Sequence, residues 1–199
     1  MSDLRSQHSR SGPGSGRERA IRAAYELFSR EGTRAVGVDT VIARAGIAKM
    51  TLYRNFSSKD ALILAVLERR AELWTRDWLR AGTERLAQRP AERLLAVFDL
   101  LGDWFASPDF EGCAFIRVLL ESDAGSEVRQ ACVRHLGEIR LFLEELAAEA
   151  GVAEAGEVAH QWHLLMKGAI VAALEGDRRA AARARELGVL LLRAHGAEA

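Results

Sequence analysis

Cysteine, proline and long apolar runs are all scarce in this chain of 199 residues. The two cysteines, Cys113 and Cys132, make no metal-ligand spacing, and a reduced intracellular compartment is the better reading. No stretch approaches the ~20 apolar residues that a bilayer crossing requires. The opening MSDLRSQHSRSGPGSG lacks the apolar centre of a secretory signal, so a soluble, cytoplasmic protein without membrane association is expected. Neither a P-loop, a nucleophile elbow nor an HExxH metal motif occurs, which removes the commonest sequence-legible enzyme classes. Net charge is missing as well, but only in the total. Residues 1–60 carry 11 Lys and Arg against 6 Asp and Glu, a net +5, and the remainder carries 17 against 22, a net −5. A basic N-terminal segment is what contact with phosphates requires.

What the chain does have is helix. Ala, Leu, Glu and Arg abound, only three prolines interrupt them, and few stretches alternate at period two. An all-α protein follows, with no strand and no internal repeat. With 49% of residues apolar and this length, a small domain fused to a larger one can each bury a core.

The most informative stretch is VDTVIARAGIAKMTLYRNFSSK at 38–59. It reads as two short helices around a tight turn. The first ends at Gly46, because glycine reaches backbone angles that other residues resist. Ile47 is the buried turn residue. The second helix, about 48–56, gives Leu52 and Phe56 to the core and leaves Lys49, Thr51, Tyr53, Arg54 and Asn55 on its outer face. These side chains offer the groups that hydrogen-bond to phosphates and base edges. A helix of about 17–30 precedes them, opened by the capping box Ser15-x-x-Glu18 and striped with Ile21, Ala24, Tyr25 and Phe28. Phe28, Val41, Ile42, Leu52 and Phe56 are then the shared core of a three-helix helix-turn-helix domain. A second capping box, Ser57-x-x-Asp60, opens the next helix. That helix is expected to run past Trp74 to Arg80 or beyond, its first half packed on the helix-turn-helix through Leu62, Ile63, Ala65 and Val66.

The segment IARAGIAKMTLYRNFSSKDAL resembles the signature of the TetR (tetracycline-repressor-like) family of transcriptional regulators, with Thr51-Leu52-Tyr53, Phe56 and Lys59 as its distinctive part. The likeness to the family's DNA-binding domain covers roughly 17–65. It implies a homodimeric regulator, more often a repressor, that binds a palindromic double-stranded DNA operator and is released by a small-molecule effector. Position matching would put Thr40, Lys49, Met50, Thr51, Tyr53, Arg54, Asn55 and Lys59 against DNA. Thr40, Met50, Arg54 and Asn55 match base-reading positions, and Thr51, Tyr53 and Lys59 match phosphate contacts. Two positions depart from the pattern. Val38 replaces a threonine that commonly opens the first helix, and Ala48 replaces a serine that commonly caps the second. A missing side-chain cap costs about 1 kcal/mol.

The expected organisation is a disordered tail at 1–16, a DNA-binding domain at 17–60, and a larger helical ligand-binding and dimerisation domain at 61–199. Breaks at Arg89-Pro90, 107–111, 123–126, 151–156 and Gly176-Asp177 delimit five further helices, and Gly112-Cys113 with Phe115 resembles a GC-x-F element of the family's ligand-binding domains. The last two helices are rich in small residues, which suits the family's two-fold four-helix interface.

Aromatic residues in the larger segment read either as plain core or as a pocket wall. Under the pocket reading the lining is Trp78, Trp104, Phe115, Arg117, Glu121, Trp162, His163 and Met166. His160, His163 and Lys167 lie on or near one helical face, and partly exposed histidines lining an interface or pocket are the better reading than metal ligands. No metal or other cofactor is expected. The rival from another class is a small-molecule enzyme using Glu121, His160 or His163 as acid or base. It leaves the basic helix-turn-helix unused.

Overall fold

The computed structural model describes residues 14–108 and 110–197, and these contain helices and no strands. The helices are α1 (Gly16–Glu31), α2 (Val38–Ala45), α3 (Lys49–Asn55), α4 (Lys59–Arg70), α5 (Ala81–Leu86), α6 (Pro90–Phe105), α7 (Ala114–Glu121), α8 (Glu127–Glu149), α9 (Ala155–Leu174) and α10 (Ala180–Ala194). Between α4 and α5 the helix widens into a π-helical stretch, Ala71–Arg80. The all-α expectation therefore holds. Each expected break meets a helix boundary, although Pro90 already opens α6 and residues 155–156 already belong to α9, and the helix begun at Lys59 does run past Arg80. Its sequence AELWTRDWLR gives no hint of the widening.

The helices gather into two compact units, the described part of Met1–Leu73 with Cys113–His135, and Trp74–Gly112 with the described part of Leu136–Ala199. The first unit contains the helix-turn-helix. Phe28, Val41, Ile47, Leu52, Phe56 and Leu62 are all buried there, while Ile42 is only half-buried. Ile63, Val66 and Leu67 extend this core along α4. A three-helix core this small is marginal by itself, and α4 adds apolar surface to it. Arg69 reinforces it with ion pairs to Glu18 (3.2 Å) and Glu72 (3.4 Å), and the Arg70 guanidinium donates to the Tyr25 hydroxyl (2.5 Å).

Serines cap α1 and α4 as expected, with two one-residue shifts. The Ser15 hydroxyl accepts from the Glu18 amide at the start of α1, so α1 begins one residue earlier than expected, at Gly16. Apart from residues 14–16, the expected disordered tail lies outside the described residues. At α4 the cap is Ser58, not Ser57, with its hydroxyl accepting from the Ala61 amide at 3.0 Å. Two adjacent serines offer the same group, and the backbone after Phe56 selects the second.

The second unit is built on α6, α9 and α10. Pro90 sits in the first turn of α6, where its missing N–H costs nothing. Gly188 permits a close approach, since a Cβ there would lie 2.8 Å from a Trp162 ring carbon and 3.1 Å from one of Phe98. Phe98 and Trp162 have ring centroids 5.2 Å apart in the same core.

Candidate nucleic-acid interface

The two short helices are set by their turn. Gly46 closes α2 at φ 60°, ψ 41°, the left-handed region that carries no penalty only for glycine, and its amide donates back to Ala43 and Ile42. Ile47 is buried, and α3 begins from an extended Ala48. No side chain caps α3, as the alanine dictates, and none caps α2, whose N-cap is Gly37. Only Leu52 of the seven α3 residues is buried. This single anchor, with Ile47 and Phe56 flanking it, fixes the roll of the helix and turns the rest outward.

That outward face carries Lys49, Met50, Tyr53, Arg54 and Asn55, all exposed. Met50 is 71% exposed and Tyr53 47%, which is unusual for large apolar side chains on so short a helix. Thr40 is exposed on α2. The Lys49 ammonium lies 3.3 Å from the Asp39 carboxylate, a surface pair that gives way easily. The Asn55 amide donates to the Thr51 carbonyl at 2.7 Å, so it is partly committed to its own helix. Thr51 is half-buried against the start of α1, where a Cβ on Gly16 would come within 2.5 Å of its methyl group. Near it the Arg17 guanidinium lies over the Phe56 ring, 5.5 Å from the centroid. Lys59 is half-buried in the first turn of α4. It lines a half-open cleft of about 210 Å³ with Thr33, Asp60, Glu121 and Ser126.

The helix-turn-helix residues can be set beside known proteins. The family described as "Bacterial regulatory proteins, tetR family" matches residues 20–66. Residues 20–66 thus carry a DNA-binding domain of the tetR family of regulators. Over 112 residues it is 37% identical to the HTH-type transcriptional activator FasR of Mycolicibacterium smegmatis, covering 55% of this chain and 47% of that protein. It is 39% identical over 51 residues to the HTH-type transcriptional regulator YvdT of Bacillus subtilis, 26% of each chain. The chain thus spans less than half the length of these curated relatives. Solved structures extend the likeness across the fold. A TetR-family transcriptional regulator from Streptomyces coelicolor superposes with a TM-score of 0.85 at 28% identity, covering 98% of this chain and 96% of its own. A second TetR-type regulator, from Streptomyces avermitilis, gives 0.77 at 27% identity, covering 93% and 100%.

The eight residues expected at a TetR ligand pocket divide between the two units. Trp78, Trp104, Trp162, His163 and Met166 belong to the second, and Phe115, Arg117 and Glu121 to the first. Trp74, Trp78 and Trp104 form a cluster with centroids 5.0–6.0 Å apart, and Phe110 stands edge-on to Trp104 at 4.9 Å. Trp104 is buried and Trp78 half-buried. On α9, Trp162, His163 and Met166 are buried, which corrects the expectation of partly exposed histidines for His163 but not for His160. Burial, with the charges of Lys167, Arg140 and His160 nearby, pushes the His163 imidazole down to about 3. Phe115 stacks on the His135 ring at 5.2 Å.

Arg117 and Glu121 depart furthest from the pocket expectation, because their polar groups are engaged elsewhere. The Arg117 guanidinium donates to the Ser29 carbonyl at 2.5 Å. The Glu121 carboxylate accepts from the Thr33 amide (2.7 Å) and the Thr33 hydroxyl (2.5 Å). Each pair is separated by 88 positions in sequence, and no local pattern signals it. Neither cysteine is in a disulfide, Cys113 being half-buried at the N-cap of α7 and Cys132 buried, with burial pushing the Cys132 thiol up to about 11.

Proposed function

We propose that this chain is a ligand-responsive transcriptional regulator, acting as a repressor, that binds a palindromic operator as a homodimer and is released by a small-molecule effector in the cytoplasm. Residues 17–60 read the DNA, and 61–199 bind the effector and dimerise. The observation that carries the reading is the outward face of α3. Its cationic, phenolic and amide groups stand around one buried leucine on a helix short enough to enter the major groove. Thr40, Met50, Arg54 and Asn55 then reach base edges, while Lys49, Thr51, Tyr53 and Lys59 hold phosphates.

The dimer reading rests on the last two helices. Leu164 (72% exposed), Val171 and Leu174 form a stripe along α9, and Leu187 and Leu190 repeat it on α10. Exposed apolar residues at this helical spacing call for a partner, and a two-fold copy supplies the same surface twice. The effector reading rests on the second unit. The indole N–H groups of Trp74 and Trp162 are buried without a hydrogen-bond partner among the described residues. A largely apolar ligand with an acceptor group would satisfy such donors.

The enzyme alternative is weakened at two of its three candidates, because Glu121 is held by Thr33 and His163 stays neutral until pH falls far below 7, while His160 is exposed on α9. The activator named among the relatives, FasR, favours a second reading of the sign alone. Gel retardation on the DNA upstream of the chain's own gene tests the core. A salt-sensitive complex of two chains per duplex is expected, and a reporter fused to the bound promoter gives the sign. Equal retardation of an unrelated duplex at physiological salt would remove the operator reading.

A further inference from the structure

We propose that Glu121 and Arg117 on α7 are positioning residues for DNA binding, gripping the end of α1 and the turn into α2 and so setting the placement of the DNA-reading helices. This rests on the regulator reading above.

The grip has three parts, all within the first unit. Helix α1 ends with carbonyls that no further turn can satisfy. One of them, on Ser29, receives the Arg117 guanidinium at 2.5 Å, which also sets a positive charge at the negative end of the helix dipole. Gly32 then leaves the helix at φ 84°. The angle favours glycine, and a Cβ there would lie 2.5 Å from one Glu121 carboxylate oxygen, so a side chain at this position would push the carboxylate away. The other oxygen takes both Thr33 donors, backbone and hydroxyl. Thr33 is only 6% exposed, so water competes poorly for these bonds.

Helix α7 is itself held at its far end. The Ser122 hydroxyl donates to the Val118 carbonyl (2.6 Å), and the Arg129 guanidinium of α8 donates to the Leu119 carbonyl (2.9 Å). Helix α2, by contrast, starts from Gly37 with no side-chain cap. Between Thr33 and α2 the chain is anchored by Val36, 1% exposed. The entry into α2 is therefore set from outside, by α7, rather than by a cap of its own. The chain enters this first-unit segment at Cys113 and leaves it after His135, so α7 is reached directly from the second unit along the backbone.

The test uses the full-length chain and an operator selected from random duplexes. Operator affinity, its salt dependence, the melting temperature and amide hydrogen exchange over residues 33–45 are measured for the wild type, Glu121→Ala, Glu121→Gln, Thr33→Val and the double variant Glu121→Ala with Thr33→Val. Loss of a hydrogen bond to a charged group should weaken operator binding about tenfold in Glu121→Ala and in Thr33→Val. The double variant should be no weaker than either single, because both remove the same interaction. Glu121→Gln should recover much of the affinity, since its amide oxygen still accepts from Thr33. The salt slope should stay unchanged, because no phosphate contact is lost. Exchange over 33–45 should quicken in Glu121→Ala. A lower melting temperature with wild-type operator affinity, measured well below the transition, would show a plain structural brace and overturn the proposal. So would additive losses in the double variant. If the wild type selects no duplex, the regulator reading itself fails, while the exchange measurement still decides whether the grip holds the turn.

Discussion

Two surfaces of this protein are exposed to a similar degree and ask for different things. The outward face of α3 exposes Met50 and Tyr53 among Lys49, Arg54 and Asn55. The outward stripes of α9 and α10 expose Leu164, Val171, Leu174, Leu187 and Leu190. Water solvates most of the first surface at little cost, so its partner is selected by hydrogen-bond pattern and charge. The second leaves apolar area in water at about 25 cal/mol per Å², so it needs covering for energetic reasons alone. On the proposed reading, a surface of the first kind meets DNA and one of the second kind meets a second copy of the chain.

The comparison breaks most sharply at α10. Leu190→Glu should weaken the dimer by at least a hundredfold, because an unpaired charge buried in an interface costs several kcal/mol. Sedimentation reads this directly, and a variant that stays dimeric at micromolar concentration would show that α10 is not the covered surface.

A change of intermediate size concerns the core behind that surface. His163 is 4% exposed, and its imidazole is pushed down to about 3 from an ordinary 6.5. The folded chain keeps this group neutral at pH values where the unfolded chain protonates it. Nothing is lost above pH 6.5, and stability falls as pH drops from 6.5 towards 3. At pH 5 the loss is about 2 kcal/mol. His163→Gln should flatten this part of the stability–pH curve, whatever it does to stability at pH 8. Denaturant melts at pH 5 and 8 give the slope, and an unaltered slope would place the acid sensitivity elsewhere.

The smallest effect belongs to the polar surface. Lys59→Ala should weaken operator binding several-fold and lower the slope of log affinity against log salt by about 0.9, one phosphate's worth. Tyr53→Phe, which keeps the ring and removes one hydroxyl, should cost less and leave the slope alone. An unchanged slope in Lys59→Ala would take that residue off the DNA.

How much of this was legible in the sequence follows from the range of the forces involved. Helix ends announced themselves through local chemistry. Gly46 marked the end of α2, Pro90 the start of α6, and Ala48 the missing cap of α3. The family likeness rested on a run of adjacent residues and survived intact. What could not be read was contact at a distance. Arg117 and Glu121 look the same on paper whether they line a cavity or hold Ser29 and Thr33. The π-helical stretch was equally silent, since Trp74 and Trp78 four positions apart fit an ordinary amphipathic helix. The choice between Ser57 and Ser58 as a cap was a matter of one residue of backbone direction.

The unequal burial of the two thiols has a practical consequence. Cys132 is closed off from solvent and its thiolate is disfavoured, whereas Cys113 is half-buried at the very start of α7. Maleimide reagents need an accessible thiolate, so brief treatment at neutral pH should tag Cys113 alone. A fluorophore placed there, with no engineered cysteine and no other site to silence, sits about one turn of helix before Arg117 and two before Glu121. The natural chain thus carries its own attachment point for watching α7 in real time as candidate effectors or DNA are added.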